Sequence, residues 1–258
     1  MLSTTLQIEL LDRLLHRDLA EPRYKTNLHL HYNVPLDESN IASRSCDDCP
    51  WKQSLFGANP ASIFQPKDPL VHQEVSVKRV LEKKLRWVTL GGQYNWTTKA
   101  YPSERPAPFP RDIARVLKTL FPNIEPQAAI LNFYSPGDTL SVHRDVSEQC
   151  DHGLISLSFG CGAIFVVGNE DGSKTAVLRL RSGDALLMSS PSRFAWHGVP
   201  KVLAGTCPEY LQDWPMVGNK GTAYEQWKGW MAGKRINLNV RQMREDGIAE
   251  DDPMRLPE

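Results

Sequence analysis

Apolar positions along the chain repeat first with a helical period and then with a period of two. In "TTLQIELLDRLLHRDL", Leu6, Leu10, Leu11 and Leu14 recur at helical spacing, which predicts an amphipathic helix capped by Thr4 or Thr5 and docked on the body. The same period returns in "SVKRVLEKKLRW" at Val77, Val80, Leu81 and Lys84. It returns again in "PRDIARVLKTL", where Pro110 stands near the start and Ile113, Val116, Leu117 and Leu120 mark one face. Between Glu21 and Pro69, prolines and polar residues predict a wrapped or partly ordered arm.

After Pro126 the pattern changes to short β-like runs: "AAILNFY", "TLSVH", "LISLSF", "AIFVV", "TAVLRL", "DALLMS" and "RINLNVR". Turn residues separate them, such as Ser135-Pro136-Gly137 and Ser182-Gly183-Asp184. Many short strands at this spacing predict a two-sheet sandwich or jelly roll. With helices ahead of the strands, the fold class is α+β with a β-rich catalytic half.

Composition narrows the function classes. The 258 residues hold 30 basic and 30 acidic side chains, so no global field attracts phosphates and a nucleic-acid partner needs a local basic patch. The densest such patch is Lys78, Arg79, Lys83, Lys84 and Arg86, which reads equally as a solvated helix face. No secretory apolar segment and no run long enough to span a membrane is present, and five cysteines, an odd number, fit a reducing compartment. The expectation is a monomer of the nucleus and cytoplasm, with mitochondrial import left open. Cys46 and Cys49 form a Cys-x-x-Cys that reads as half a zinc site or as an irregular loop.

Candidate chemistry begins at "LSVHRDVSE". On a strand, His143 and Asp145 project from one face, as two metal ligands, a base and its orienter, or two surface residues. Downstream, "FAWHGV" adds His197. Two imidazoles and a carboxylate with the remaining positions open are the donor set of non-haem Fe(II) oxygenases, although zinc accepts the same ligands. In "RINLNVRQ", alternation puts Arg235, Asn237, Asn239 and Arg241 on one face and Ile236, Leu238 and Val240 on the other. That is either a solvated edge strand or a strand aiming two guanidinium groups into a cavity, where each needs an anion such as a dicarboxylic acid. "LNFYSPG" contributes Asn132 and Tyr134, an amide and a phenol suited to hydrogen-bonding a carboxylate.

The ordered set resembles the AlkB family of Fe(II)- and 2-oxoglutarate-dependent dioxygenases. "NFYSPGDTLSVHRDVSE", "SLSFGCGAIFVVG", "SGDALLMSSPSRFAWHGV" and "RINLNVRQ" match successive family blocks, and "LRWVTLGGQYNWTTKAYP" is similar to a segment of the eukaryotic homologue-1 branch. The resemblance implies a double-stranded β-helix in which His143, Asp145 and His197 bind Fe(II) and carry catalysis with O2. It implies that Asn132, Tyr134, Arg235, Asn237 and Arg241 surround 2-oxoglutarate, with Arg235 on the distal carboxylate. Trp96 and Tyr101 fall where the family places its nucleotide-recognition lid. Ser147 replaces the acidic base-reading residue of the bacterial enzymes, and Glu148 beside it is a further substrate-side candidate.

The organisation expected is an N-terminal helix and arm (1–69), a helical support and nucleotide-recognition region (70–126), a dioxygenase core (127–243) and a tail (244–258). An insertion (201–234) rich in tryptophan reads as a lid, a partner surface or packing. The activity implied is oxidative demethylation of an N-methylated nucleobase in tRNA, other RNA or DNA, unpaired or flipped out of its stack. Alternatives are a protein-side-chain hydroxylase or demethylase using the same iron centre, an abasic-site lyase, and a non-catalytic nucleic-acid-binding module.

Overall fold

A computed structural model describes residues 1–34, 54–101, 106–217 and 224–245; Cys46 and Cys49 lie outside them. The first helical pattern forms α1 (Thr4–Asp12), capped by the Ser3 hydroxyl accepting from the Leu6 amide rather than by a threonine. It runs on as a π-helical turn over Arg13–Arg17 and a 3-10 turn over Asp18–Ala20. Three short strands follow, β1 (Tyr32–Asn33), β2 (Ile63–Pro66) and β3 (Val75–Ser76), paired in that order. The basic helix is α2 (Val77–Arg79) continued by a π turn over Val80–Lys84, with Val77, Val80 and Leu81 buried.

Next come β4 (Trp87–Gly91) and α3 (Arg111–Leu120). The region expected to be helical support therefore also supplies a strand, and β4 extends the main sheet as its edge. The period-two runs form β5 (Ala128–Tyr134), β6 (Leu140–His143), β7 (Leu154–Gly160), β8 (Ala163–Gly168), β9 (Thr175–Leu180), β10 (Ala185–Met188), β11 (Trp196–Val202) and β12 (Arg235–Arg241).

Two antiparallel sheets result, with orders β10-β7-β12-β5-β4 and β6-β11-β8-β9. Both line one cavity, the arrangement of a jelly roll. β12 is a central strand, so the solvated-edge reading fails. Its Ile236, Leu238 and Val240 are fully buried in the same apolar core as Leu11, Ile113 and Leu117. Its polar face turns into the cavity.

One core runs from Leu2 to Val240, so the described residues of the N-terminal arm are part of the same body as the sheets. The described residues of the insertion are part of it too. Trp214, Trp227 and Trp230 are buried, and their indole N–H groups donate to Asp12 Oδ1 (2.8 Å), the Phe56 carbonyl (2.7 Å) and the Leu81 carbonyl (3.1 Å). Each contact reaches back to N-terminal sequence. Of the three readings of this segment, packing is the one these tryptophans fit.

Candidate active site

β6 and β11 pair so that His143 and His197 are direct cross-strand partners, which places both imidazoles on one face. A bulge follows His197, and Gly198 lies beneath β6: a Cβ there would meet the Leu140 carbonyl at 3.0 Å. Glycine thus lets the two histidine strands approach. Ring centroids stand 4.4 Å apart. Asp145 lies two residues past the end of β6, in irregular chain, so its position does not follow from strand alternation.

Asp145 Oδ1 is 3.9 Å from His143 Nε2, and Asp145 Oδ2 is 3.7 Å from His197 Nε2. The three ligand atoms fall within 4.8 Å of one another. Each imidazole places Nδ1 against a backbone carbonyl, His143 on Ser141 (2.8 Å) and His197 on Ala195 (3.0 Å). With Nδ1 carrying the proton, both Nε2 lone pairs face Asp145 and would be available to a cation held between the three. Burial holds the His197 pKa below the ordinary value, keeping the ring neutral. Burial alone would raise Asp145, but Arg241, the two imidazoles and Asn239 outweigh it and hold the carboxyl below its usual range.

The cavity measures about 510 Å³. Asn132, Tyr134, His143, Asp145, Ser147, His197, Arg235, Asn237, Arg241 and Trp96 all line it. Arg235 is 1% exposed, yet its Nε and Nη1 find no hydrogen-bond partner among the described residues, and burial lowers its pKa. A buried, unpaired guanidinium is costly unless an anion meets it. Tyr134, its cross-strand partner, has a phenol pushed up to about 12 by burial and so remains a neutral donor. Asn237 spends its amide N–H groups on Ser156 Oγ (2.7 Å) and the Leu157 carbonyl (3.0 Å).

The second arginine differs. Arg241 Nη2 donates to Asp145 Oδ1 at 2.9 Å, Nη1 to Tyr101 Oη at 3.0 Å, and Nε faces Glu148 Oε1 at 3.4 Å. The two arginines expected to share one dicarboxylate are divided, Arg235 unpaired and Arg241 already committed to the metal aspartate. Glu148, a candidate for the substrate, is enclosed: its side chain is 1% exposed and clasped by Arg193 (2.9 Å) and Arg241. Tyr101 does not line the cavity but touches it through Arg241.

At the mouth, Trp96 is 41% exposed and packs on Trp87 and Tyr94 with centroids 5.0 and 4.9 Å away. Ser147 Oγ donates to Tyr94 Oη at 3.4 Å. Sequence reasoning missed Tyr94 and Arg193, and it placed Asn239 on the right face without giving it a role. Asn239 shares the polar face of β12 and donates to Asp145 Oδ2 at 3.4 Å, so alternation alone pointed to it. Nothing in the local sequence pointed to Arg193.

Comparison with known proteins fits this geometry. Residues 50–241 match the model of the 2OG-Fe(II) oxygenase superfamily. A Pyricularia oryzae protein named N6-methyladenosine RNA demethylase ALKB1 is 51% identical over 93% of this chain and 71% of its own length. The Schizosaccharomyces pombe protein named tRNA demethylase abh1 is 42% identical over 94% of this chain and 76% of its own length. The solved structure of OsALKBH1 superposes with a TM-score of 0.50 at 20% identity, covering 72% of this chain and 86% of that one, a likeness of fold. The unpaired buried Arg235 fits a dicarboxylate cosubstrate, and the two imidazoles with Asp145 fit a divalent iron. The chain belongs to the 2OG-Fe(II) oxygenase superfamily, in its AlkB homologue-1 branch, and is an Fe(II)- and 2-oxoglutarate-dependent dioxygenase.

Proposed function

We propose that this protein removes N-methyl groups oxidatively from nucleobases of nucleic acid, with RNA as its preferred substrate. The observation that carries this reading is the lining of one cavity: the ligand atoms of His143, Asp145 and His197, the Arg235 guanidinium, unpartnered at Nε and Nη1 among the described residues, and a half-exposed Trp96 all border it. Relatives of 51% identity are named RNA demethylases, and one of 42% identity a tRNA demethylase, which supports the substrate class.

His143, Asp145 and His197 would hold the iron, and Arg235 with Tyr134 would take the distal carboxylate of 2-oxoglutarate, with Asn132 and Asn237 on the same wall. When bound, iron and 2-oxoglutarate supply the dioxygen-dependent oxidation of the N-methyl group, releasing succinate, carbon dioxide and finally formaldehyde. The chain's own residues do the rest. Asn239 and Arg241 fix Asp145 as an ionised ligand. The Trp96–Tyr94 pair offers an aromatic face on which an unstacked base can lie, and Ser147 beside it presents a hydroxyl to the base edge. A base stacked in a duplex cannot bring its methyl group to ligand atoms that line a cavity, so an unpaired or flipped nucleotide is the substrate that fits. Arg79, Lys83 and Lys84 are exposed and suit phosphate contacts, whereas Lys78 faces Glu82 at 3.9 Å and Arg86 is paired with Asp138 at 2.7 Å.

The test incubates the iron-loaded protein and 2-oxoglutarate with oligonucleotides carrying N1-methyladenine or N6-methyladenine, as RNA and as DNA. Loss of one methyl mass with succinate formation is expected, fastest on RNA. Succinate without methyl loss on any oligonucleotide would overturn the nucleobase reading and direct the search to protein side chains. Trp96→Ala should weaken oligonucleotide turnover while leaving oligonucleotide-free 2-oxoglutarate turnover unchanged.

A further inference from the structure

We infer that Arg193 is a positioning residue for the metal ligand Asp145, acting from a distant turn on the backbone of Asp145 rather than on its ligand atoms. Residues 144–153, which carry Asp145, hold no helix or strand. Their backbone groups and direction must therefore be set from outside. Arg193, in the turn that leads into β11, does so with three donors. Its Nη1 donates to the Asp145 carbonyl at 2.9 Å, its Nε to the His152 carbonyl at 2.6 Å, and its Nη2 to Glu148 Oε2 at 2.9 Å. One planar guanidinium, 1% exposed, thus ties the start, middle and end of the loop.

The arrangement continues to the ligand's own carboxylate. Glu148 joins Arg193 to Arg241, and Arg241 Nη2 donates to Asp145 Oδ1. Asp145 is gripped by its backbone through Arg193 and by its side chain through Arg241, with Glu148 as the anion shared between the two cations. Two buried acids face two buried bases, so each charge has an opposite neighbour, although Arg241 Nε and Glu148 Oε1 meet as an ion pair at 3.4 Å without a hydrogen bond. Arg193 also lies four residues before His197, whose ring is oriented by the Ala195 carbonyl. The segment 193–197 therefore directs two of three ligands that come from separate parts of the chain.

The alternative is that Arg193 only staples a loop for stability, and metal affinity separates the two. Arg193→Lys keeps the charge but cannot span three acceptors. Arg193→Ala removes the group, and Glu148→Gln keeps the shape while removing the shared anion. Each variant, with the parent and His143→Ala, is titrated with Mn2+ and with Co2+, and the Co2+ form's visible spectrum is recorded beside Tm. Positioning partners of this kind alter metal affinity by about 10- to 100-fold. We expect a loss of that size in Arg193→Lys and Glu148→Gln, a changed Co2+ spectrum, and an unchanged 2-oxoglutarate affinity at saturating metal, because Arg235 stands on another strand. A folded Arg193→Lys that binds metal with the parent's affinity and spectrum refutes the inference, whatever its Tm. Should Arg193→Ala fail to fold, the other two variants decide. Retention of metal by His143→Ala would instead refute the metal site, so the two failures are distinguishable.

Discussion

Replacing Arg235 with methionine should make the ligand-free protein more stable and the enzyme worse. The side chain is 1% exposed, with Nε and Nη1 unpartnered among the described residues. Each buried donor left unmade costs about 1–3 kcal/mol, so the native state without cosubstrate carries roughly 2–6 kcal/mol of avoidable cost here. Methionine keeps the unbranched stem and removes the donors. A chain of this size shifts Tm by about 2–4 °C per kcal/mol, so a rise of several degrees is expected without ligand. Two hydrogen bonds to a charged partner contribute about 3 kcal/mol even at the low end. At about 1.4 kcal/mol per factor of ten, 2-oxoglutarate should bind on the order of 100-fold more weakly. Thermal scans of the Mn2+ form with and without 2-oxoglutarate measure both: ligand should stabilise the parent and barely move the variant. A variant that melts several degrees lower without cosubstrate, or binds 2-oxoglutarate as tightly as the parent, would refute the reasoning.

Other perturbations probe separate parts of the molecule. His143→Ala and Asp145→Ala should each lose bound iron and all turnover, checked by metal analysis of the purified protein; full activity in either would sink the triad. Trp214→Ala removes a fully buried indole and its bond to Asp12, and should destabilise the fold by about 3–5 kcal/mol in urea melts while leaving the KM for 2-oxoglutarate unchanged. His29 is held neutral by burial, its pKa lowered to about 4, and its Nδ1 accepts from the Thr26 amide. Unfolding restores a value near 6.5, so the unfolded chain binds the proton first. This contribution is complete above pH 6.5 and is lost as pH falls towards 4. His29→Gln should show a shallower loss of stability between pH 7 and 5 than the parent; a parallel loss would refute the assignment. Asp18, raised chiefly by burial, works in the opposite sense and is common to both proteins.

What the sequence disclosed, and what it withheld, follows the range of the interactions. β12 was legible residue by residue because a strand's period is fixed by backbone geometry: Arg235, Asn237, Asn239 and Arg241 share a face wherever the strand lies. Its place at the centre of a sheet was not, since that depends on β5 and β7, and the edge-strand and cavity readings differ only in those neighbours. His143 and His197 were legible as donors, but their 4.4 Å approach needs the β6–β11 register and the bulge at Gly198. Asp145 and Glu148 show the limit most clearly. Both lie in irregular chain, where no period assigns a face. One is aimed at the metal position and the other enclosed because two arginines, 45 and 93 residues downstream of Glu148, close around them. A carboxylate in such a loop takes its role from the cations that reach it. With Arg193 elsewhere, the same local sequence would leave Glu148 held by Arg241 alone, and the substrate-side role the sequence allowed it would stay open.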